Sequence, residues 1–181
     1  MSRRSGAAVP SDPAGAAPAR VWRMVPALVA ATWVGLLFVT PPWRTQHGSG
    51  RAVVAALVDA GAARVCHRQP SRSFHGHDQP LPVCGRCTGL YVSGAVGLMA
   101  AALVGARRRP AAMPVRPGWP FDRRAGWIAL AGAPTLLTWA VEVAGLWNPG
   151  TPLRAIAALP LGATVGWIVG RALAQPPAWP R

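Results

Sequence analysis

The sequence predicts an all-α integral membrane protein, a bundle of about four transmembrane helices with a Cys/His-rich loop outside the membrane. The first observation is composition, because 51% of the 181 residues are hydrophobic and only 13% are charged, yet the net charge is +14. The second is a series of apolar runs close to the ~20 residues that cross a bilayer. The third is that these runs are separated by arginines, which suits loops at a lipid surface. We therefore expect a lipid bilayer as partner and no nucleic acid, since the arginines do not form one basic face.

The apolar runs divide the chain into a single membrane domain, residues 21–173, between a disordered tail (1–20) and a C-terminal tail (174–181). The predicted spans are 24–40, 88–106, 125–147 and 155–173, with a Cys/His loop at 64–87 and a basic loop at 107–124. The first span also resembles a signal peptide, but Pro41 and Pro42 follow it rather than a cleavage site, which favours a retained helix. Ala52–Ala63 is too short to span and is expected to be interfacial or re-entrant.

Arginine distribution predicts the orientation of the bundle. Placing the N-terminus in the cytoplasm puts twelve arginines inside and seven outside, and the dense 107–124 loop carries the strongest bias. The Cys/His loop then faces the extracytoplasmic side. The cysteines would lie in a compartment where disulfides can form.

Two predicted helices carry small residues at four-residue spacing, which allows close approach of helix backbones in lipid. The positions are Gly89, Ser93 and Gly97 in the second span and Gly162, Gly166 and Gly170 in the fourth. These faces either pack on each other within one chain or form a homodimer.

One ionisable residue, Glu142, lies within a predicted span. Carboxylates in membranes are usually paired, and Arg154 across the short turn is the expected partner. The pair either fastens the helical hairpin or joins a polar lining beneath the Cys/His loop, together with Arg72, Arg86 and Tyr91.

All three cysteines and three of the four histidines lie between Cys66 and Tyr91. The C-x-x-C unit of Cys84 and Cys87 has the spacing at which two thiolates meet one tetrahedral ion, and Cys66 would supply a third. The fourth ligand is expected from His77, His75 or His67. The predicted cofactor is a transition metal, with zinc favoured by thiolate and imidazole ligands.

Two other interpretations of this loop stay open. A C-x-x-C unit before a helix also suits thiol–disulfide exchange or a structural disulfide, although an odd cysteine remains. Alternatively, the loop arginines bind or process an anionic lipid headgroup. None of these patterns assigns a reaction, so whether the chain is an enzyme stays open, with a binding role favoured over a catalytic one.

The residues CHRQPSRSF from Cys66 and PVCGRCTGLY from Pro82 resemble the signature of the domain-of-unknown-function 2085 family (DUF2085) of small prokaryotic multi-pass membrane proteins. The resemblance covers roughly residues 60–173, and Glu142, Arg154, Gly162 and Gly166 stand at matching positions in its second half. It departs at Thr138 and Thr151, where an Asp and an Asn are expected. The resemblance implies a multi-pass protein of a bacterial cell membrane and supplies no activity.

Overall fold

The structure is a computed structural model that describes residues 16–46, 48–107 and 123–173. A short 3-10 turn at Pro70–Arg72 precedes a β-hairpin, and the helices stand on either side of it. In chain order the elements are α1 (Ala16–Arg44), α2 (Gly50–Ala63), β1 (Ser73–Gly76), β2 (Gln79–Cys84), α3 (Gly85–Arg107), α4 (Arg123–Val143) and α5 (Thr151–Leu173). Residues 1–15 of the predicted N-terminal tail, residues 108–122 of the basic loop and the C-terminal tail (174–181) lie outside the described residues.

Four helices of the described chain are long and apolar enough to cross a membrane, which confirms the predicted fold class. The candidate spans are Met24–Arg44, Gly85–Val104, Ala125–Val143 and Thr151–Leu173. Large apolar side chains on them point outward, as expected of surfaces that face lipid; Leu137, for example, is 67% exposed. Because consecutive spans alternate in direction, residues 45–84 and 144–150 lie at the same end of the bundle. That end is called the loop end below.

α1 begins earlier than the sequence predicted. Residues 16–20, assigned above to the disordered tail, are helical. Alanine has the highest intrinsic helix propensity, and three of these five residues are alanine, so the helix begins before the candidate span, which starts at Met24.

α3 and α5 pack tightly, and the small residues make this possible. A methyl group added at Gly89 would collide with the backbone carbonyl of Ala155, and one added at Gly166 would collide with that of Gly94. The two small-residue stripes therefore face each other within one chain. Close backbone contact is the main source of helix association in lipid.

α1 and α4 flank this central pair on different sides. α1 packs on α3, where the rings of Trp33 and Tyr91 meet edge to face with centroids 6.2 Å apart. α4 packs on α5, and the Thr135 hydroxyl donates to the Ala157 carbonyl at 2.8 Å. A hydroxyl on an apolar helix thus links α4 to its neighbour.

α2 is a short helix at the loop end, as its length predicted. The Ser49 side chain accepts from the backbone N–H of Ala52 and caps its N-terminus. Asp59 of α2 accepts two hydrogen bonds from Arg44, at 2.6 and 2.9 Å, and another from Arg68 at 2.6 Å. Arg44 also donates to the carbonyl of Pro80 at 2.6 Å. The end of α1 therefore holds both α2 and the hairpin.

The hairpin reverses direction through His77 and Asp78, which have φ values of +53° and +60°. Both central residues of such a two-residue turn adopt the left-handed region, where Asp and His are enriched among non-glycine residues. The antiparallel register pairs Ser73 with Cys84. This register brings the end of β2, and hence the start of α3, back to the bundle.

Candidate metal centre and its polar neighbours

Cys66 lies just beyond the end of α2. Its backbone N–H donates to the Ala62 carbonyl at 2.9 Å, so the helical turn positions the residue. Its Sγ accepts from the backbone N–H of Cys84 at 3.2 Å. This hydrogen bond connects Cys66 to the start of the C-x-x-C unit.

Cys84 and Cys87 stand on either side of the junction between β2 and α3. Cys84 is the last residue of the strand and Cys87 lies in the first turn of the helix. The Sγ atoms of Cys66, Cys84 and Cys87 all lie within 4.8 Å of one another, and all three thiols are free. Three thiolates around a tetrahedral zinc ion stand about 3.8 Å apart, given Zn–S bonds of about 2.3 Å. A shift of about 1 Å or less would bring them to that spacing.

The three sulfur atoms lie at the edge of the hydrophobic core of the loop end. Buried residues of α1, α2 and β2 surround them, with Leu37, Val58 and Val83 almost inaccessible to solvent. The helices and the hairpin therefore position the sulfurs from several directions. Such a supported site is a rigid platform for a ligand.

The Cys84 thiol has a strongly lowered pKa, to about 5. The main cause is the hydrogen bond from the Cys87 thiol, with the backbone N–H of Cys87 and the thiol of Cys66 adding to it, while burial acts in the opposite direction. Cys84 is therefore a thiolate at neutral pH. Thiolate is the form that binds metals and that attacks disulfides.

The predicted histidine ligands do not join the sulfur atoms. Among the described residues, the group within 4.8 Å contains three cysteines and no histidine. His67, His75 and His77 are all exposed; His75 lies on β1 and His77 in the hairpin turn. C-x-x-C spacing indicated the thiol group, whereas nothing in the sequence determines where imidazoles on a hairpin point.

A second polar cluster surrounds Glu142, whose side chain is only 8% exposed. Arg154 donates to it at 2.8 and 3.3 Å, and Arg86 at 2.7 Å, while an Nη of Arg72 lies 3.0 Å from the same carboxylate. Three arginines from three different segments thus meet one acid. The structure brings together four residues of the predicted polar lining, while Tyr91 packs instead beside Trp33 and the core near the cysteines.

A cavity of about 500 Å³ opens beside this cluster. Residues 69–72, the 148–151 turn and Arg154 form its walls. Asn148, which the sequence did not single out, accepts from Arg154 at 2.5 Å. The ion pairs of Asp59 with Arg44 and Arg68 were also missed, although a lone aspartate in the apolar run of α2 was a signal that a cation lies near.

The fold and the two clusters define the class: a small multi-pass membrane protein with a three-thiol group and an arginine-rich polar cluster at one end. The family model described as "Predicted membrane protein (DUF2085)" matches residues 66–168, and the chain belongs to that family. An uncharacterized protein of Methanothermobacter thermautotrophicus is 50% identical over 28 residues, which are 16% of this chain and 25% of that relative. The chain thus matches about a quarter of that relative's length. No solved structure matches the chain.

Proposed function

We propose that Cys66, Cys84 and Cys87 bind one transition-metal ion, zinc by preference, which orders the loop end of this membrane protein. The observation that carries the proposal is the mutual approach of three free sulfur atoms within 4.8 Å. Two of them come from the C-x-x-C unit and the third from the far side of the hairpin. An ion at this point would join α2, β2 and α3, segments with few side-chain hydrogen bonds among them.

The chemistry of the donor set supports zinc. Thiolates are soft ligands that suit zinc, and the lowered pKa of Cys84 supplies one of the three as thiolate before the metal binds. Three thiolates leave the fourth tetrahedral position to a water molecule or to a histidine of the loop. A fourth protein ligand would make the site structural, whereas a water there would leave it open to a substrate.

The test compares metal and free thiols in the same purified protein. The wild-type chain, prepared under reducing conditions, is expected to carry about one metal ion by mass spectrometry, and Cys84→Ser is expected to lose it. Ser71→Ala, an exposed change in the same loop, is the control and should retain the metal. No metal in the wild type, with two thiols consumed under non-reducing conditions, would instead establish a disulfide and refute the metal proposal.

We also propose that the loop end faces the extracytoplasmic side of a bacterial cell membrane. Five of the seven arginines assigned to that side are paired with Asp59 or Glu142, namely Arg44, Arg68, Arg72, Arg86 and Arg154. These seven are outnumbered by the twelve arginines of the opposite end, and the positive-inside rule, which counts basic residues rather than net charge, therefore favours that end as the cytoplasmic side. Reporter fusions after residues 60 and 115 should report opposite sides, with 115 in the cytoplasm. If both fusions report the same side of the membrane, the four-span topology is wrong.

A further inference from the structure

The arginine cluster around Glu142 carries more positive charge than its acid can neutralise. Arg72, Arg86 and Arg154 bring three positive charges, and Glu142 supplies one negative charge, so the group has a formal excess of +2. Each guanidinium has five N–H donors, far more than two carboxylate oxygens accept. The Nε of Arg86 is buried without any partner among the described residues.

The cavity described above is lined by two of the arginines that carry this excess positive charge. Arg72 and Arg154 both line it, and no acidic residue does so among the described residues. Arg72 is 46% exposed and Glu142 is its only charged partner in the described chain, so most of its N–H groups remain free to face a ligand. Arg154 is 3% exposed, and its hydrogen bonds to Glu142 and Asn148 are donated by Nε and Nη2.

Other polar groups complete the walls. The side chains of Gln69, Ser71 and Thr151 line the cavity together with the turn that begins α5. The start of α5 adds the positive end of a helix dipole. All of these features favour an anion over a cation or a neutral ligand.

Glu142 holds the three arginines of the cluster close together. The carboxylate contacts all three guanidiniums, which come from the 3-10 turn, α3 and α5, and it holds them together before any ligand arrives. Such preorganisation lowers the entropic cost of binding. One acid among three arginines therefore assembles the site without neutralising it.

We infer that this cavity binds the phosphate group of a phosphate-bearing ligand through Arg72 and Arg154. Guanidinium matches phosphate oxygens in a bidentate manner, and a cavity of about 500 Å³ has room for a phosphate with a substituent attached. The cavity lies where α4 ends and α5 begins, at the boundary of two candidate spans. Lipid headgroups and free phosphate both reach such a position.

The decisive comparison uses two charge-matched variants of the same loop. Arg72→Gln removes a guanidinium from the cavity wall, whereas Arg68→Gln removes one that pairs with Asp59 and does not line the cavity. The two side chains are exposed to similar extents, 46% and 35%, so neither change should prevent folding. Melting temperatures in detergent confirm that both variants are folded before binding is measured.

Binding to the full-length protein is measured by calorimetry in phosphate-free buffer, with inorganic phosphate as one probe and short-chain phosphatidic acid as the other. The wild type should bind saturably, Arg72→Gln should bind about tenfold or more weakly, and Arg68→Gln should be changed by about twofold at most. If Arg72→Gln weakens the binding of both probes, phosphate itself is the recognised group. If the wild type binds only phosphatidic acid, and Arg72→Gln weakens that binding, the recognised phosphate belongs to a lipid headgroup.

Equal weakening in the two variants would show diffuse electrostatic attraction and overturn the inference, as would a wild-type protein that binds neither probe. Metal content is measured in the same samples and should be unchanged in both variants. Metal content therefore tests the metal site, and ligand binding tests the anion site, independently of each other.

Discussion

Arg154 and Glu142 form a two-point ion pair between α5 and α4, with Nη2 to Oε1 at 2.8 Å and Nε to Oε2 at 3.3 Å. Planar pairing of this kind fixes orientation as well as distance. α4 otherwise contacts little besides α5 and has a largely exposed surface. The pair thus fastens the end of a peripheral span, and Arg86 and Arg72 extend it to α3 and the loop.

Replacing Glu142 with Gln should strongly destabilise the bundle. Three guanidiniums would lose their counter-charge, and Arg154 is 3% exposed, so it would remain buried as an uncompensated cation. Breaking a buried ion pair from one side costs about 3 kcal/mol or more. The measurement is the free energy of unfolding of the purified protein in detergent.

The control for this change is Asp59→Asn. The Asp59 side chain is 19% exposed against 8% for Glu142, and its partners Arg44 and Arg68 are 20% and 35% exposed against 4% for Arg154. Solvent screens such pairs, so the expected loss is about 1 kcal/mol. Equal losses for the two variants would contradict a special structural role for Glu142.

Gly89→Ala should loosen the contact between α3 and α5. The added methyl group would overlap the backbone of Ala155, which cannot move independently of its helix. Overpacking of this kind costs about 1–3 kcal/mol. A melting temperature in detergent checks the loss, and Gly35→Ala in α1 is the matched control because no atom lies within 4 Å of its added methyl group. A Gly89→Ala protein as stable as Gly35→Ala would show that the helices do not approach as described.

Cys84 should react with iodoacetamide at unusually low pH in metal-free protein. Its pKa is lowered to about 5, so the reactive thiolate is present above that pH and is lost only as the pH falls through it. An ordinary cysteine becomes reactive near pH 8.5. Peptide mass spectrometry across a pH series measures the midpoint for this residue. A midpoint near 8.5 would remove the evidence for a stabilised thiolate.

Single replacement of His67, His75 or His77 by Ala should leave the metal bound. The three sulfur atoms form the only such group in the described chain, and all three histidines are exposed and lie outside it. Metal content per chain, measured on each variant beside Cys84→Ser, provides the check. A histidine variant that loses the metal as completely as Cys84→Ser would identify that imidazole as the fourth ligand.

Much of the architecture was predictable because it depends on local composition. A bilayer requires runs of apolar residues of a given length, so four spans are visible in the chain, and the apolar run of α2 is too short to be one of them. The C-x-x-C spacing likewise indicated a thiol group. The helical residues 16–20 were missed because a helix can continue beyond the hydrophobic residues that cross the bilayer.

The sequence by itself determined the membrane class, the family and the residue types of both clusters. Only the tertiary structure decided that Cys66 returns to the C-x-x-C unit, that Glu142 gathers three arginines rather than one, and that the glycine stripes of α3 and α5 meet within one chain. The physical reason is the separation along the chain of the residues that interact. Spans follow from neighbouring residues, whereas each of these contacts joins segments far apart in the chain, and their meeting depends on how the helices and the hairpin pack together.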